Sequence, residues 1–197
     1  MLCTFDLSEL STAYSPTEFL VREACQDWER REAHALRRAV FCFEQGIFAG
    51  DDRDTVDDAA QLLVAMSCSG GMPDQVVGTV RIHRSTQANS PSVWWGSRLA
   101  VHPSFRSQGH LGCTLIRLAV GLANAQGCTQ FLAHVQAQNV ALFRKQHWHE
   151  RAELLVRGRP HSEMQADLSA YPPCFDALSG YVTRARQPAT DNQGSRL

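Results

Sequence analysis

The segment RLAVHPSFRSQGHLG, at positions 98–112, constrains this chain more than any other part of the sequence. An apolar run ends at Val101, a loop containing Arg106 follows, and Gly109 and Gly112 open an amphipathic stretch. The pattern predicts a strand, a basic loop and a helix N-terminus. Free backbone N–H groups at a helix N-terminus bind phosphate, and glycines let the backbone approach it closely. We therefore expect a phosphate-binding loop at this point.

Two common phosphate loops do not fit the segment. A P-loop requires a lysine after its glycines, and none follows here. A dinucleotide-binding loop requires an acidic residue about 20 positions further on, whereas residues 75–149 contain no Asp or Glu. The interpretation that remains is a pyrophosphate held by backbone amides and Arg106, without a metal or a ribose-binding carboxylate.

The composition fits one domain and excludes several function classes. The chain has 197 residues, 44% of them hydrophobic, which is enough for a sizeable core. A net charge of −1 gives no general attraction to nucleic acid or to a membrane surface. No apolar run reaches the roughly 18 residues of a membrane span. We expect a single domain over 1–185 and a mobile tail over 186–197.

The cysteines and the N-terminus bear on the cellular compartment. Seven scattered cysteines without a C-x-x-C pair indicate reduced thiols rather than disulfides. The first residues lack the basic start and apolar core of a secretory signal. The sequence therefore predicts a cytoplasmic protein.

Hydrophobic periodicity and turn residues predict a mixed α/β fold. The expected order is a strand, a helix, three antiparallel strands, a helix, a strand, a helix and two strands. We expect one mixed, mostly antiparallel sheet of six to seven strands with helices on both faces. The predicted ranges are 18–24, 26–45, 59–68, 75–84, 92–101, 112–126, 128–136, a helix from Asn139, and two strands around 158–160.

Two segments carry a resemblance to a known family. RLAVHPSFRSQGHLG with its helix, and FLAHVQAQNVALFRKQHW after it, resemble the GNAT acyltransferases, in which a strand ending in V-x-P precedes R-x-x-G-x-G/A and a later N-x-x-x-[YF] motif. More narrowly, LRRAVFCFEQGIF, VVGTVRIH, WWGSRLAV and GRPHSEMQADLSAYPP resemble GNAT proteins encoded in bacterial nitrilase/radical-SAM gene clusters. The narrower resemblance covers nearly the whole chain. It implies the GNAT fold.

The resemblance also implies a donor and a reaction. The donor would be acetyl-CoA or another acyl-CoA, and the acyl group would pass by direct attack to a primary amine of a small molecule. Backbone groups of Leu99, Ala100 and Val101 would pair with the pantetheine arm as an added strand. Asn139, Phe143 and Arg144 would lie near the pantetheine end and the adenosine phosphates. The pyrophosphate would be held by Arg106 and by the amides of Ser107, Gln108, Gly109, His110, Leu111 and Gly112.

The sequence departs from the family pattern at three places. The glycines lie one residue further apart than usual, as Arg106-x-x-Gly109-x-x-Gly112. Trp95 stands where many relatives have a glutamate base. Phe143 stands where many have a tyrosine that protonates the leaving thiolate.

The first half resembles the acyl-homoserine-lactone synthases, a related fold. The shared residues are Arg37-x-x-Val40-Phe41, Asp54, Asp57, Arg81 and Arg98. This resemblance implies that Asp54, Asp57, Arg81 and Arg98 bind the acceptor amine. Arg106 and the paired glycines argue against the acyl carrier protein that those synthases use as donor.

Two residues are candidates for the general base. Glu44, where the first helix ends before Gly46, is the first choice, and His134 on the fifth strand is the second. Taken singly, either could be structural, Glu44 as a surface acid and His134 as a core histidine. His147, His149 and His161 lack a fourth ligand at zinc spacing, so we expect no metal.

Two non-enzymatic functions remain open. The chain could be a catalytically weak acyl-CoA-binding sensor or regulatory subunit, which the missing tyrosine and glutamate favour. It could also be an interaction module that uses Trp94 and Trp95. The expected partners are a small-molecule amine and a second copy of the chain.

Overall fold

The protein is described from a computed structural model that covers residues 16–86, 92–108 and 110–185. The proposed phosphate-loop residue Gly109 and the predicted tail over 186–197 lie outside the described residues. The elements, in chain order, are β1 (Glu18–Glu23), α1 (Asp27–Arg38), β2 (Gln61–Ser69), β3 (Met72–Arg84), β4 (Val93–Val101), α2 (Leu111–Ala125), β5 (Gln130–Gln136), α3 (Val140–Lys145), β6 (Trp148–Val156), β7 (Arg159–Ala166) and β8 (Tyr181–Arg184).

One sheet of eight strands runs in the order β6-β7-β5-β4-β3-β2-β1-β8. Its neighbours pair antiparallel except β4 and β5, which pair parallel. The predicted mixed, mostly antiparallel sheet is thus confirmed, but the expected count of six to seven strands was too low. The missed strand, β8, is four residues long and is held by pairing with β1, Tyr181 opposite Val21. So short a segment has too little alternation to be recognised locally.

The two long helices cover opposite faces of the sheet, as predicted. On one face, α1 buries Ala33 and Leu36 against β2. On the other, α2 packs Leu115 and Leu118 against apolar side chains of β1 to β4, among them Phe19, Leu63 and Val77. Most α2 side chains are buried, in keeping with a helix that is apolar nearly all round. A capping box between Gln26 and Glu29 fixes the start of α1.

The first helix ends in a π-helical turn over Ala39–Glu44. Phe41 lies in this turn, and its carbonyl accepts a hydrogen bond from the amide of Ile47 at 2.8 Å. Gly46, at a φ of 61°, reverses the chain after the turn. The predicted helix end at Gly46 is thus correct. Turns of this kind are frequent at functional sites.

The parallel strands β4 and β5 separate along their length. They pair only from Val93–Gly96 with Gln130–Ala133, although β4 continues to Val101 and β5 continues to Gln136 along β7. A bulge in β4 accompanies the separation, because two residues, Arg98 and Leu99, stand opposite the single residue Val80 of β3. Arg98 has a φ of 55°. Bulges bend and twist a strand, so a cleft opens between β4 and β5.

Candidate active site

A cavity of about 460 Å³ occupies the cleft between β4 and β5. It is lined from both faces of the sheet, so it passes through the sheet. We call the part on the α2 face the donor chamber and the part on the α1 face the acceptor chamber. The donor chamber is lined by Ile116, Ala119, Val120, Phe131, Ala133, Phe143 and Trp148, and the acceptor chamber by Phe41, Ile47, Phe48, Arg81, His83, Trp95, Ser97, Arg98, His134 and His161.

The donor chamber is apolar. Phe143 packs edge-on against Trp148 with ring centroids 5.1 Å apart, and Phe131 lies at 5.8 Å from the same indole. The indole N–H points away and donates to the Tyr171 hydroxyl at 3.0 Å. Gly96 gives Phe131 its space, because a Cβ at Gly96 would lie 3.0 Å from Phe131 Cε1. The donor chamber is therefore suited to bind an apolar group of a ligand.

Three of the residues assigned to the donor by resemblance line the cavity: Leu99, Asn139 and Phe143. Beyond Gly96 the β5 side of β4 has no strand partner, which leaves the backbone from Leu99 onward available on that side. Arg144, in contrast, is exposed and forms an ion pair with Glu150 outside the cavity.

The expected phosphate loop lies between β4 and α2. A short turn over Pro103–Phe105 begins it, and His110, in the left-handed conformation at a φ of 50°, precedes the first turn of α2. The His110 side chain at the N-cap position makes no capping hydrogen bond in the described structure, so the first amides of α2 are left for another acceptor. A Cβ at Gly112 would meet nothing within 4 Å, so the space in front of that backbone is open.

Arg106 and Glu44 are paired with each other. Arg106 Nη2 donates to Glu44 Oε2 at 2.6 Å, and Arg106 Nε donates to the Val101 carbonyl at 3.1 Å. The hydrogen bond from Arg106 lowers the pKa of the Glu44 carboxyl below its ordinary value. Glu44 is not among the residues that line the cavity. Its proposed role as a base stays a prediction, from a position beside the phosphate loop.

The second candidate base, His134, lines the acceptor chamber. Its ring lies edge-on to Trp95 at 4.9 Å between centroids, and its Nε2 is 3.7 Å from Glu163 Oε2. Arg151 also pairs with Glu163, at 3.4 Å. The imidazole thus lies between the Trp95 indole and a carboxylate near enough to stabilise a positive charge on it.

His83 was not predicted from the sequence to belong to the site. It stands opposite Trp95 in the β3–β4 pairing, lines the cavity, and has a buried Nδ1 that finds no hydrogen-bond partner among the described residues. Burial lowers the pKa of His83, and the positive charge of Arg81 lowers it further. Both effects favour the neutral form of this imidazole. Its spacing from Arg81 on one strand was the signal, because residues two apart share a face.

Three arginines and three aspartates form an alternating network beside the acceptor chamber. Arg37 binds Asp52 at 2.8 Å and Asp57 at 2.6 Å. Arg81 binds Asp54 at 2.5 Å and Asp57 at 2.9 Å. Arg98 binds Asp52 at 2.8 Å and Asp54 at 3.1 Å. The three aspartates belong to the loop that precedes β2. The network therefore holds this loop against β3, through Arg81, and against β4, through Arg98.

The network bears on the expected amine-binding residues. Arg81 and Arg98 line the cavity, whereas Asp54 and Asp57 do not. Burial alone would raise the pKa of Asp57, but hydrogen bonds from Arg37 and the Asp54 amide hold it well below its usual range. Asp52, with no exposed side-chain surface, was not a candidate in the sequence analysis. Its partners lie far apart in sequence, so no local motif marks it.

Within the described residues, no group of three or more His, Cys, Asp or Glu side chains could hold a metal ion. In the same part of the chain, no helix is long and apolar enough to cross a membrane.

Comparison with known proteins identifies the family. The model of the acetyltransferase (GNAT) family matches residues 17–148. No curated protein sequence matches the chain. The chain belongs to the GNAT acetyltransferase family.

Several solved structures share the fold. A Lactobacillus plantarum protein assigned as an N-acetyltransferase aligns with a TM-score of 0.65 at 23% identity, over 76% of this chain and 98% of that one. Escherichia coli ElaA aligns with a TM-score of 0.62 at 16% identity, over 77% and 99%. BjaI, a CoA-dependent acyl-homoserine lactone synthase solved with SAM and isopentyl-CoA, aligns with a TM-score of 0.62 at 18% identity, over 76% and 83%. At these identities the likeness shows the fold.

Proposed function

We propose that the protein transfers an acyl group, with acetyl-CoA as the first donor to test, to the primary amine of a small molecule. The observation that carries the proposal is the cavity that passes through the sheet where β4 and β5 separate. The thioester reaches the cleft from the donor chamber on the α2 face, and the amine reaches it from the acceptor chamber on the α1 face. Two substrates can thus enter by separate routes and react within the sheet.

The donor side follows from the fold. Because α2 follows β4 and runs back along it, the uncapped helix N-terminus lies at the open end of the cleft. Pyrophosphate there is held by helix amides and by Arg106, and the pantetheine arm lies along the backbone of Leu99–Val101. The thioester then reaches the bulge in β4. A backbone N–H at this bulge is the proposed donor to the tetrahedral oxyanion.

The reaction needs a neutral amine and a proton acceptor. His134 takes the proton of the attacking amine, and Glu163 stabilises the imidazolium that results. The tetrahedral intermediate then collapses, the C–S bond breaks, and CoA leaves as a thiolate. A thiol pKa of about 8.5 makes the thiolate a fair leaving group near neutral pH. Phe143 has no hydroxyl to protonate the thiolate, so its proposed role is to pack against the pantetheine end of the donor.

Two variants test the proposal. In Gly112→Val, the new side chain extends into open space, so we expect the melting temperature of the free protein to hold while the CoA dissociation constant rises about tenfold or more. In His134→Gln, kcat/KM for the amine should fall by about 10²-fold or more, with CoA affinity unchanged. Wild-type CoA affinity in Gly112→Val would contradict CoA binding at the N-terminus of α2. Wild-type activity in His134→Gln would contradict the role of His134 as general base.

One alternative function has an observation in its favour. Trp95 and Phe143 stand where relatives carry a base and an acid, which favours an acyl-CoA-binding sensor. Incubation with labelled acetyl-CoA and pooled amines separates the two, because a sensor binds the donor and forms no product. An acyl-homoserine-lactone-synthase-like reaction is tested in the same assay by adding SAM as acceptor. A pure interaction module would show no change in melting temperature with CoA.

A further inference from the structure

The acceptor chamber is cationic. None of the described residues that line the cavity is Asp or Glu, while Arg81 and Arg98 both line it. The aspartates of the network neutralise these two arginines but lie outside the lining. Arg81 and Arg98 thus form part of the chamber wall, whereas the aspartates that they bind do not.

A further cation lies beside the chamber without a counter-charge. Arg157, in the turn between β6 and β7, places its guanidinium 4.3 Å from the centroid of the Phe48 ring. Arg98 lies 4.4 Å from the same centroid. Phe48 lines the chamber, so both cations stand next to the space that the acceptor would occupy. No Asp or Glu in the described part of the chain forms an ion pair with Arg157.

Glu163, the carboxylate that approaches the chamber from β7, is already balanced. Glu163 approaches His134 at 3.7 Å and Arg151 at 3.4 Å. Arg159, which follows the turn at the start of β7, donates to the carbonyl of Gln45 and also has no ion pair with a described carboxylate. The charge around the chamber is thus positive on balance. Such a surface attracts an anionic ligand and repels a diamine.

We infer that the acceptor is an amine that also carries an oxyanion, either a carboxylate or a phosphate, which binds Arg157 and Arg98 beside Phe48. This inference rests on the proposed acyl transfer. The Arg157 guanidinium can bind either oxyanion in bidentate fashion, and such charge-assisted bonds are stronger than neutral ones. Arg98, whose Nε and Nη2 already donate to Asp52 and Asp54, adds its positive charge. Anchoring the oxyanion at the rim leaves the amine free to reach the cleft near His134. A neutral amine of the same shape lacks that anchor.

Matched acceptors test the inference. With acetyl-CoA as donor, acylated products are measured by mass spectrometry for amino acids and their carboxamides, for O-phosphoethanolamine and ethanolamine, and for putrescine. We expect kcat/KM for an acid to exceed that of its neutral partner by about tenfold or more. Whichever class of acid shows the larger preference over its neutral partner, the amino acids or O-phosphoethanolamine, identifies the oxyanion as carboxylate or phosphate. Equal use of neutral partners, or a preference for putrescine, would overturn the inference.

Variants of the anchor sharpen the test. Arg157→Gln should raise KM about tenfold for the anionic acceptor, with little change for its neutral partner. Arg157→Lys should recover part of the loss. Arg184→Gln is the matched control, since Arg184 is exposed on β8 at one end of the sheet. An unchanged KM in Arg157→Gln would remove Arg157 from the site.

The same assay separates this inference from the proposed function. If acetyl-CoA raises the melting temperature but no amine of the panel is acylated, the anionic acceptor is overturned and the sensor alternative gains support. If some amines are acylated without regard to charge, acyl transfer stands and only the inference fails. If acetyl-CoA neither binds nor reacts, the proposed function itself fails.

Discussion

Arg106 and Glu44 are 62 residues apart in sequence and are joined by a 2.6 Å hydrogen bond. From the sequence, Arg106 was assigned to the pyrophosphate and Glu44 was the first candidate for the general base. In the folded chain, Glu44 is paired with the Arg106 guanidinium, which the pyrophosphate of CoA was expected to bind. The two side chains are 45% and 37% exposed, so solvent screens the pair, and such pairs are worth about 1 kcal/mol or less.

The first prediction concerns this pair. Glu44→Gln frees Arg106, so we expect the CoA dissociation constant to fall severalfold, because roughly 1 kcal/mol is the upper limit for an exposed pair. Since Glu44 lies outside the cavity lining, kcat at saturating amine should stay near wild type. Isothermal titration and steady-state kinetics measure the two effects. A tenfold or larger loss of kcat with unchanged CoA affinity would instead support Glu44 as the base.

The second prediction concerns the missing tyrosine. Phe143→Tyr restores a hydroxyl, but CoA leaves well without an acid, so kcat should change by less than about tenfold. Phe143→Ala removes a ring that is 7% exposed and packs on Trp148. We expect it to weaken CoA binding and to destabilise the fold by roughly 3–5 kcal/mol. A gain of about a hundredfold or more in Phe143→Tyr would identify the natural protein as a degenerate sensor.

The third prediction concerns pH and His83. Burial lowers the pKa of His83 in the folded chain, whereas in the unfolded chain it returns to about 6.5. The unfolded state therefore binds the proton more readily, and stability falls as pH drops below about 6.5. Melting temperatures from pH 5 to 8 should drop less on the acid side in His83→Gln than in wild type. Parallel curves would contradict the shifted pKa of His83.

His34 supplies a control for that measurement. Its pKa is also lowered by burial, with Arg37 and Arg53 adding to the effect. His34→Gln should likewise reduce the fall in melting temperature at acid pH. It should not affect acyl transfer, because His34 does not line the cavity. His83→Gln, which alters the acceptor chamber, should change KM for the amine as well.

The fourth prediction concerns the buried network. Asp52 accepts hydrogen bonds from Arg37 Nε and Arg98 Nε, both at 2.8 Å, and its side chain is fully buried. Asp52→Asn removes the charge that balances them, and breaking a buried pair typically costs about 3–5 kcal/mol. Urea denaturation should show that loss. Asp51→Asn, its exposed neighbour, is the matched control and should change stability by less than about 0.5 kcal/mol.

The order of the elements, including the turn that leads from β4 into α2, could be predicted from the sequence. This order depends on local patterns: hydrophobic residues recurring at helical or strand spacing, and breakers such as Gly46 and Gly127 that end helices. The GNAT motifs lie within one continuous stretch from β4 to α3. Neighbouring residues therefore sufficed to predict the family that the comparisons identify.

The site itself depended on tertiary structure. Four features need partners from distant parts of the chain: the pairing of Glu44 with Arg106, the burial of Asp52 between two arginines, the burial of His83 and the strand β8. Sequence patterns report which face of an element a residue takes, because that is set by backbone periodicity. They do not report which charges meet, because that is decided by strand register and by the bulge at Arg98, which separates β4 from β5 and opens the cavity between them.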